Sequence, residues 1–244
     1  HGESDFLPGL IVDRYDDWLV VQCLTLGVAL RQEPITEALV DLLSPRGIYE
    51  RSDVDVRSKE GLGQKNGVLW GEKPPDGITI LENGWGFRAD IRHGHKTGFY
   101  LDQRENRSLM SFFCGGADVL DAFAYTGAFS VYASAAGAKS LTLVDSSAPA
   151  LDLAGRNMAL NGYSDRRVDY VEGDVFSVLR GFRSRENHFD VIVVDPPKFA
   201  HSGREVRRAA RAYKDVNLLA FQLLRPGGTL ITFSCSGGVS RDLF

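Results

Sequence analysis

Five apolar runs in the second half of the chain constrain its fold more than any other feature. They are "DVLDAF", "SLTLVD", "RVDYVEGD", "FDVIVVD" and "TLITFSC". Between them the spacing predicts helices near Ala128–Ala136, Ala150–Asn161, Val175–Phe182 and Val206–Leu224, and Arg225-Pro226-Gly227-Gly228 supplies a stop signal after the last. Strand–helix alternation of this kind builds a parallel sheet with helices on both faces. Ligands of such sheets bind beyond the carboxyl ends of the strands. At those ends the sequence carries Asp121, Asp145, Asp174, Asp195 and Cys235.

The first hundred residues have a different rhythm. "GLIVDRYDDWLVVQCL" is two apolar runs around Tyr15-Asp16-Asp17, a hairpin pattern. "ALRQEPITEALVDLLS" has helical spacing, with Pro34 tolerable only near a helix start. "GIYERSD" reads as a strand, "GEKPPDG" as a loop, and "ITILENGWGFRADI" as a hairpin turning at Asn83-Gly84. The expected fold class is therefore α/β, with a Rossmann-like parallel-sheet domain (96–244) preceded by a small α+β domain (1–95). The small domain is a candidate for RNA contact, through Arg51, Arg57, Lys59 and Lys65.

The bulk properties exclude several classes. The chain has 244 residues, 43% of them hydrophobic and 25% charged, and a net charge of −4. No apolar run approaches the length of a membrane span, and no membrane partner is expected. A purely electrostatic nucleic-acid binder is usually basic, so such a partner must be held by a local patch. Three widely spaced cysteines make no CxxC pair, which fits a reduced, cytoplasmic setting. His93 and His95 form an H-x-H pair without a third ligand in view, so no metal is expected. The chain opens at His1 without an initiator methionine and stops at Phe244, a few residues past a strand; both ends are expected to be cuts in a longer protein.

The acids suggest what is bound. "LDAFAYTGAFS" is the first strand-to-helix turn, and a pyrophosphate would require the glycines of G-x-G-x-x-G there. Phe123 and Tyr125 are too bulky for that, which leaves room for a nucleoside without phosphates. Asp145 is placed to accept both ribose hydroxyls, Asp174 to accept from an adenine amine, and Asp121 to face a sulfonium or an ammonium. A single Asp at a strand end is ordinarily a helix N-cap. Four at one sheet edge point to a ligand. "VVDPPKF" adds a stiff exit that fixes Asp195 in the cleft and offers Phe199 for stacking on a base.

Together "HGHKTGFYLDQRENR", "DAFAYTGAFS", "VDSS", "VVDPPKF" and "FSCSGG" resemble a class I S-adenosylmethionine-dependent methyltransferase. They are similar in particular to the bacterial 23S ribosomal RNA cytosine-5 methyltransferases that carry an N-terminal PUA domain. That resemblance implies a PUA domain before "GLPGLIVDRY" and a further strand pair after "SCSG", in agreement with cut ends. It implies S-adenosyl-L-methionine as cofactor, touched by Phe99, Gln103 and Arg104 of the segment that would cover it. The "AFAYTG" turn, with Asp121, Phe123, Ala124, Tyr125, Thr126 and Gly127, would line the methionine part. Asp145 and Ser146 would take the ribose, Asp174 and Val175 the adenine, and Asp195 and Pro196 would close the site.

Cytosine carbon 5 is a poor nucleophile. A thiolate adding to carbon 6 activates it, and Cys235 is the candidate, with Asp195 as the acid or hydrogen-bond partner at N3. Flanking Ser234, Ser236 and Gly237-Gly238 suggest an open polar turn, whereas Cys23 and Cys114 read as structural. The target base must be unpaired or flipped. Pro197, Lys198 and Phe199 would meet it, and Arg204, Arg207, Arg208 and Arg211 lie on one helix face that suits either phosphates or plain solvent. The expected partner is 23S ribosomal RNA or a large-subunit assembly intermediate, with a homodimer also open. Alternatives are methylation of a guanine or other base nitrogen without covalent catalysis, a nicotinamide-linked oxidoreductase, and a catalytically silent RNA-binding module.

Overall fold

The computed structural model describes residues 6–164, 167–200, 205–240 and 242–244. The chain divides into two compact units, His1–Asp102 and Gln103–Phe244. The segment after residue 95 is held in the first unit by hydrogen bonds. The Tyr15 hydroxyl lies 2.7 Å from Thr97 Oγ1 and accepts from the Phe99 amide at 3.2 Å.

In the first unit β1 (Leu10–Tyr15) and β2 (Trp18–Cys23) form the expected antiparallel hairpin. A short α1 (Leu26–Ala29) and α2 (Gln32–Leu43), with Pro34 in its first turn, carry the chain to β3 (Gly47–Ser52), which pairs with β2 in parallel. Leu39 and Val40 of α2 pack on Leu19, Val21 and Ile48 of the sheet. The outer strand β4 (Lys65–Gly71) was not legible as a strand: it is interrupted by Gly67 and largely exposed. Strands β5 (Ile78–Glu82) and β6 (Trp85–Ala89) form the second hairpin, and positive φ at both Asn83 (51°) and Gly84 (87°) makes its turn type I′. Two of the basic residues expected to contact RNA are structural instead. Arg51 is buried and donates to Asp53, to the Ile91 carbonyl and to the Gly94 carbonyl, and Arg57 is buried and donates to the carbonyls of Gly63 and Cys23.

The second unit opens with α3 (Arg104–Ser111). Its sheet contains β7 (Asp118–Ala122), β8 (Ser140–Asp145), β9 (Val168–Glu172), β10 (Phe189–Val194) and β11 (Leu224–Thr232). The order is β11-β10-β7-β8-β9, with all neighbours parallel. The chain winds outward from β7 on one side and then crosses to the other, so the topological switch point lies between β7 and β10. The connecting helices are α4 (Ala128–Ala135), α5 (Ala148–Leu160), α6 (Val175–Ser184) and α7 (Val206–Leu223), close to their expected limits. Because strand side chains alternate, Leu120, Ala122, Ile192 and Val194 face Val175, Leu179, Val216 and Leu223 of α6 and α7. Asp121 points to the other face, where its carboxylate meets Ser130 of α4.

Arg225-Pro226-Gly227-Gly228 does end α7, but as a bulge rather than a free turn. Leu224 pairs with Phe189 and Thr229 with Val191, so four residues bulge opposite Asp190. The bulge places the Arg225 guanidinium 2.6 Å from Asp190 and 2.9 Å from Asp118, tying the beginnings of three strands together. Both carboxyls are held below the usual range: Asp118 chiefly by the Ser140 hydroxyl, Asp190 chiefly by the Asp118 amide, and each also by Arg225. A depressed carboxyl stabilises the fold above its unfolded pKa and stops doing so as pH falls through the folded one. Arg225→Ala is therefore expected to cost about 1 kcal/mol at pH 7, the upper end for partly exposed pairs. In urea unfolding the difference from wild type should shrink towards pH 3.

Candidate cofactor and catalytic site

The carboxyl edge of the sheet, around the switch point, collects residues from five strand ends, and they sit at different depths. Asp145 is the last residue of β8; Asp121 is the penultimate residue of β7; Asp195 follows β10 directly. Asp174 lies two residues beyond β9 and Cys235 three beyond β11, so neither is a strand terminus as the sequence suggested.

Asp121 forms the floor. It is 1% exposed, its Oδ2 accepts from Ser130 Oγ at 2.7 Å, and its Oδ1 is buried without a donor. Burial above all, with Asp195 and Asp145 adding negative potential against the Ser130 bond, pushes its carboxyl up to about 7. Above it runs the turn from Phe123 to Gly127. Phe123 (φ 64°), Tyr125 (φ 47°) and Gly127 (φ 71°) all take positive φ. Bulky residues avoid that region at a cost of order 1–3 kcal/mol each. The loop therefore has the backbone course of a glycine turn with aromatic side chains on it. Gly127 is required twice over: a Cβ there would stand 2.7 Å from the Ala154 Cβ. Asp145 holds the turn, Oδ2 accepting from the Tyr125 amide at 2.8 Å and Oδ1 from the Ser147 amide at 2.9 Å.

Asp174 is the N-cap of α6: its Oδ1 accepts from the Ser177 amide (2.9 Å) and hydroxyl (2.7 Å). It is exposed, with Val175 buried beneath it and Ser146 exposed on the neighbouring loop. Phe176, which the sequence reading passed over, joins Phe123 and Phe199 in an aromatic cluster with ring centroids 6.1 to 6.5 Å apart. Phe199 also packs on Tyr213 at 4.8 Å, so its ring is half-buried among other rings.

On the β10–β11 side Asp195 is half-buried and accepts at Oδ2 from Gln103 Nε2 (3.0 Å), while Gln103 Oε1 accepts from Asn106 Nδ2 (2.6 Å). Cys235 is exposed, and its Sγ lies 3.7 Å from the Pro196 carbonyl. The structure thus brings Cys235 and Asp195 to one edge. Cys23 and Cys114 are buried as expected, and burial pushes the Cys114 thiol up to about 12. The reading of Ser236 as part of an open polar turn is corrected. Ser236 is 2% exposed; its Oγ accepts from the amides of Phe199 (3.1 Å) and Ala200 (3.2 Å) and bonds the Tyr213 hydroxyl (3.0 Å). No local pattern announces this, because Phe199 and Ala200 come from the loop after β10 and Tyr213 from α7.

Of the remaining candidates, Pro197, Lys198, Arg207, Arg208 and Arg211 are exposed, and Arg104 is exposed on the first turn of α3. Arg204 lies outside the described residues. Phe99 is buried in the first unit, its ring 5.2 Å from Phe87. Among the described residues no group of three or more His, Cys, Asp or Glu is placed to hold a metal, and no helix is long and apolar enough to cross a membrane.

Residues 65–244 match the family model described as S-adenosylmethionine-dependent methyltransferase. The chain belongs to that family. Among curated proteins it is 51% identical over 242 residues to "Ribosomal RNA large subunit methyltransferase I" of Aeromonas salmonicida, and 51% identical over 242 residues to the protein so named from Shewanella amazonensis. Each alignment takes in 99% of this chain and 61% of the relative, so the chain spans about three fifths of the length of these relatives. Among solved structures, the methyltransferase SMU.776 complexed with SAH superposes with a TM-score of 0.87 at 26% identity, over 100% of this chain and 62% of that one. A tRNA m1G37 methyltransferase of M. jannaschii shares the fold, with a TM-score of 0.65 at 22% identity over 93% of this chain and 61% of its own.

The family's cofactor is a cation, and the buried, donorless Oδ1 of Asp121 fits one. A carboxyl raised by burial favours its protonated form, so its ionisation destabilises the ligand-free fold as pH rises towards 7. Asp121→Asn is expected to raise the thermal midpoint of the ligand-free protein by a few degrees at pH 8 and to leave it unchanged at pH 4, below the carboxyl's range. By calorimetry the same variant should bind S-adenosylmethionine at least tenfold more weakly at pH 8.

Proposed function

We propose that the protein methylates carbon 5 of a cytosine in large-subunit ribosomal RNA, through a covalent adduct between Cys235 and carbon 6 of the base. The observation that supports this reading best is the placement of the exposed Cys235 thiol beside the Pro196 carbonyl, one residue from Asp195, at the edge of the crevice. A nitrogen-methylating enzyme has no use for a thiol there, since its target already carries a lone pair. The name carried by the relatives supports the RNA substrate.

Asp121 would face the positive charge of the methionine moiety, Asp145 the ribose, and Asp174 with Val175 the adenine edge. The turn from Phe123 to Gly127, with its two aromatic side chains, would help exclude water from the methyl donor. When bound, S-adenosylmethionine supplies an electrophilic methyl group on a sulfonium. Cys235 adds its sulfur to carbon 6 and loads electron density onto carbon 5, and Asp195 holds the base at N3. The serine and aromatic contacts beneath both loops keep thiol and acid at fixed spacing. Arg207, Arg208 and Arg211, exposed on α7, would grip phosphates.

With the complete protein, labelled S-adenosylmethionine and unmodified ribosomal RNA, wild type is expected to form 5-methylcytosine. Cys235→Ala should form at least a thousandfold less while binding the cofactor as tightly. If the alanine variant methylates as wild type does, the target is a nitrogen and the thiol is structural. Replacing Arg207, Arg208 and Arg211 together by Ala should lower RNA affinity tenfold or more and flatten its salt dependence by up to about three charges' worth. Cofactor affinity should be unchanged.

A further inference from the structure

We propose that the cavity at the amino end of the parallel sheet is a second RNA site, which holds an unpaired nucleotide of the substrate away from the methylated base. This rests on the reading of ribosomal RNA as the substrate, and not on which of its atoms is methylated.

The cavity measures about 620 Å³, in the range of small-ligand sites, and lies wholly within the second unit. Its lining comes from the starts of β7 to β10 and from the chain between α6 and β10. The edge that gathers Asp121, Asp145 and Asp195 is at the other end of the same strands. Strands of five or six residues set the two ends roughly 17–20 Å apart.

Three kinds of group meet in the cavity, and a nucleotide uses all three. The floor is apolar. Phe182 and Phe189 are each 8% exposed, their ring centroids 5.8 Å apart, and Val171 joins them at the margin of the α6–α7 core. These side chains offer a base an apolar surface. One wall is backbone. Among the described residues β9 is the last strand of the sheet, so one row of its donors and acceptors has no strand partner, and Val168 to Val171 run along the cavity. Such a row suits the hydrogen-bonding edge of an unpaired base.

The rim is charged. Asp118 and Asp190 are both held by Arg225, at 2.9 and 2.6 Å, and Lys139 approaches Asp118 at 3.6 Å. Beyond the Arg225 joint, Lys139, Arg167 and Arg185 face Asp169 and Glu186, all of them exposed, which is three cations against two acids in a chain of net charge −4. The Arg185 guanidinium lies over the Phe182 ring, 5.3 Å from its centroid. His188 Nδ1 donates to the Glu186 carbonyl at 2.8 Å, which leaves Nε2 as the ring nitrogen available at the rim. An excess of one cation suits a single phosphodiester. A duplex, with its base edges already paired, does not enter. Two grips at opposite ends of the sheet would select an RNA by the spacing of its unpaired nucleotides, which a target pocket alone does not do.

The test uses the complete protein and unmodified ribosomal RNA. Arg167→Glu combined with Arg185→Glu reverses the rim charge, and Asn187→Trp fills the cavity from its exposed lip without changing charge. Each is expected to raise KM for the RNA at least tenfold, with kcat at saturating RNA within about twofold of wild type and S-adenosylmethionine affinity unchanged. The charge reversal should also flatten the salt dependence of RNA affinity, and the tryptophan should not. If both variants keep the wild-type KM, the inference fails and the RNA reading stands. If only the charge reversal raises KM, RNA passes over the rim without entering, and the proposal is overturned. It is overturned equally if KM rises for assembled particles but not for naked RNA, which makes the occupant a ribosomal protein. A nucleoside 5′-monophosphate that binds wild type and not Asn187→Trp, with RNA affinity the same in both, would make the cavity a site for free nucleotide instead. If wild type neither binds nor methylates ribosomal RNA, the RNA reading itself fails and this inference with it.

Discussion

The parallel pairing of β7 with β10 is the constraint on which the site depends. Its register sets Val193 beside Asp121 and Val194 beside Ala122, and the Asp195 amide extends the ladder by donating to the Ala122 carbonyl at 3.3 Å. On the other side the Phe233 amide donates to the Val194 carbonyl at 3.0 Å. Two backbone bonds past the formal strand ends thus bring Asp195 and the Cys235 loop beside the buried Asp121. In a parallel sheet a slip by one residue would turn Asp121 towards the apolar helices α6 and α7. The dense packing of Leu120, Ala122, Ile192 and Val194 against those helices prevents it.

The site then carries what the core would not tolerate. Asp121 has an oxygen without a donor, and Phe123 and Tyr125 adopt backbone angles that aromatic residues avoid. Each lowers the stability of the ligand-free fold. A cationic nucleoside answers the first directly. Any ligand that answers these groups would therefore add to folding stability as it binds.

The alternation of strands and helices was legible because each buried strand is a short apolar run closed by a polar residue, and because the Pro226-Gly227 and Asp195-Pro196-Pro197 signals punctuate it. Asp121, Asp145 and Asp195 were legible at strand ends for the same reason, whereas Asp174 lies past its strand as the N-cap of α6. What stayed hidden depends on contacts between distant segments. Ser236 resembles any loop serine until Phe199, Ala200 and Tyr213 converge on it. Nothing local in the sequence shows that Gln103 bonds Asp195, 92 residues away. Arg51 and Arg57 carry the charge of an RNA patch, yet their guanidinium groups hold loop carbonyls of the first unit. Charge identifies what a side chain can bind, and only burial shows that it has already done so.

Ser236 has one more consequence. A single hydroxyl accepts from the Asp-Pro-Pro-Lys-Phe loop and sits beside Cys235 in the other, with Tyr213 of α7 as third partner. The Cys235 thiol and the Asp195 carboxyl are therefore mounted on one jointly ordered body. Local opening of either loop releases both, because the bond that orders one orders the other. Such coupling makes the order of this edge close to all-or-none: the thiol is held there only when Asp195 is held too.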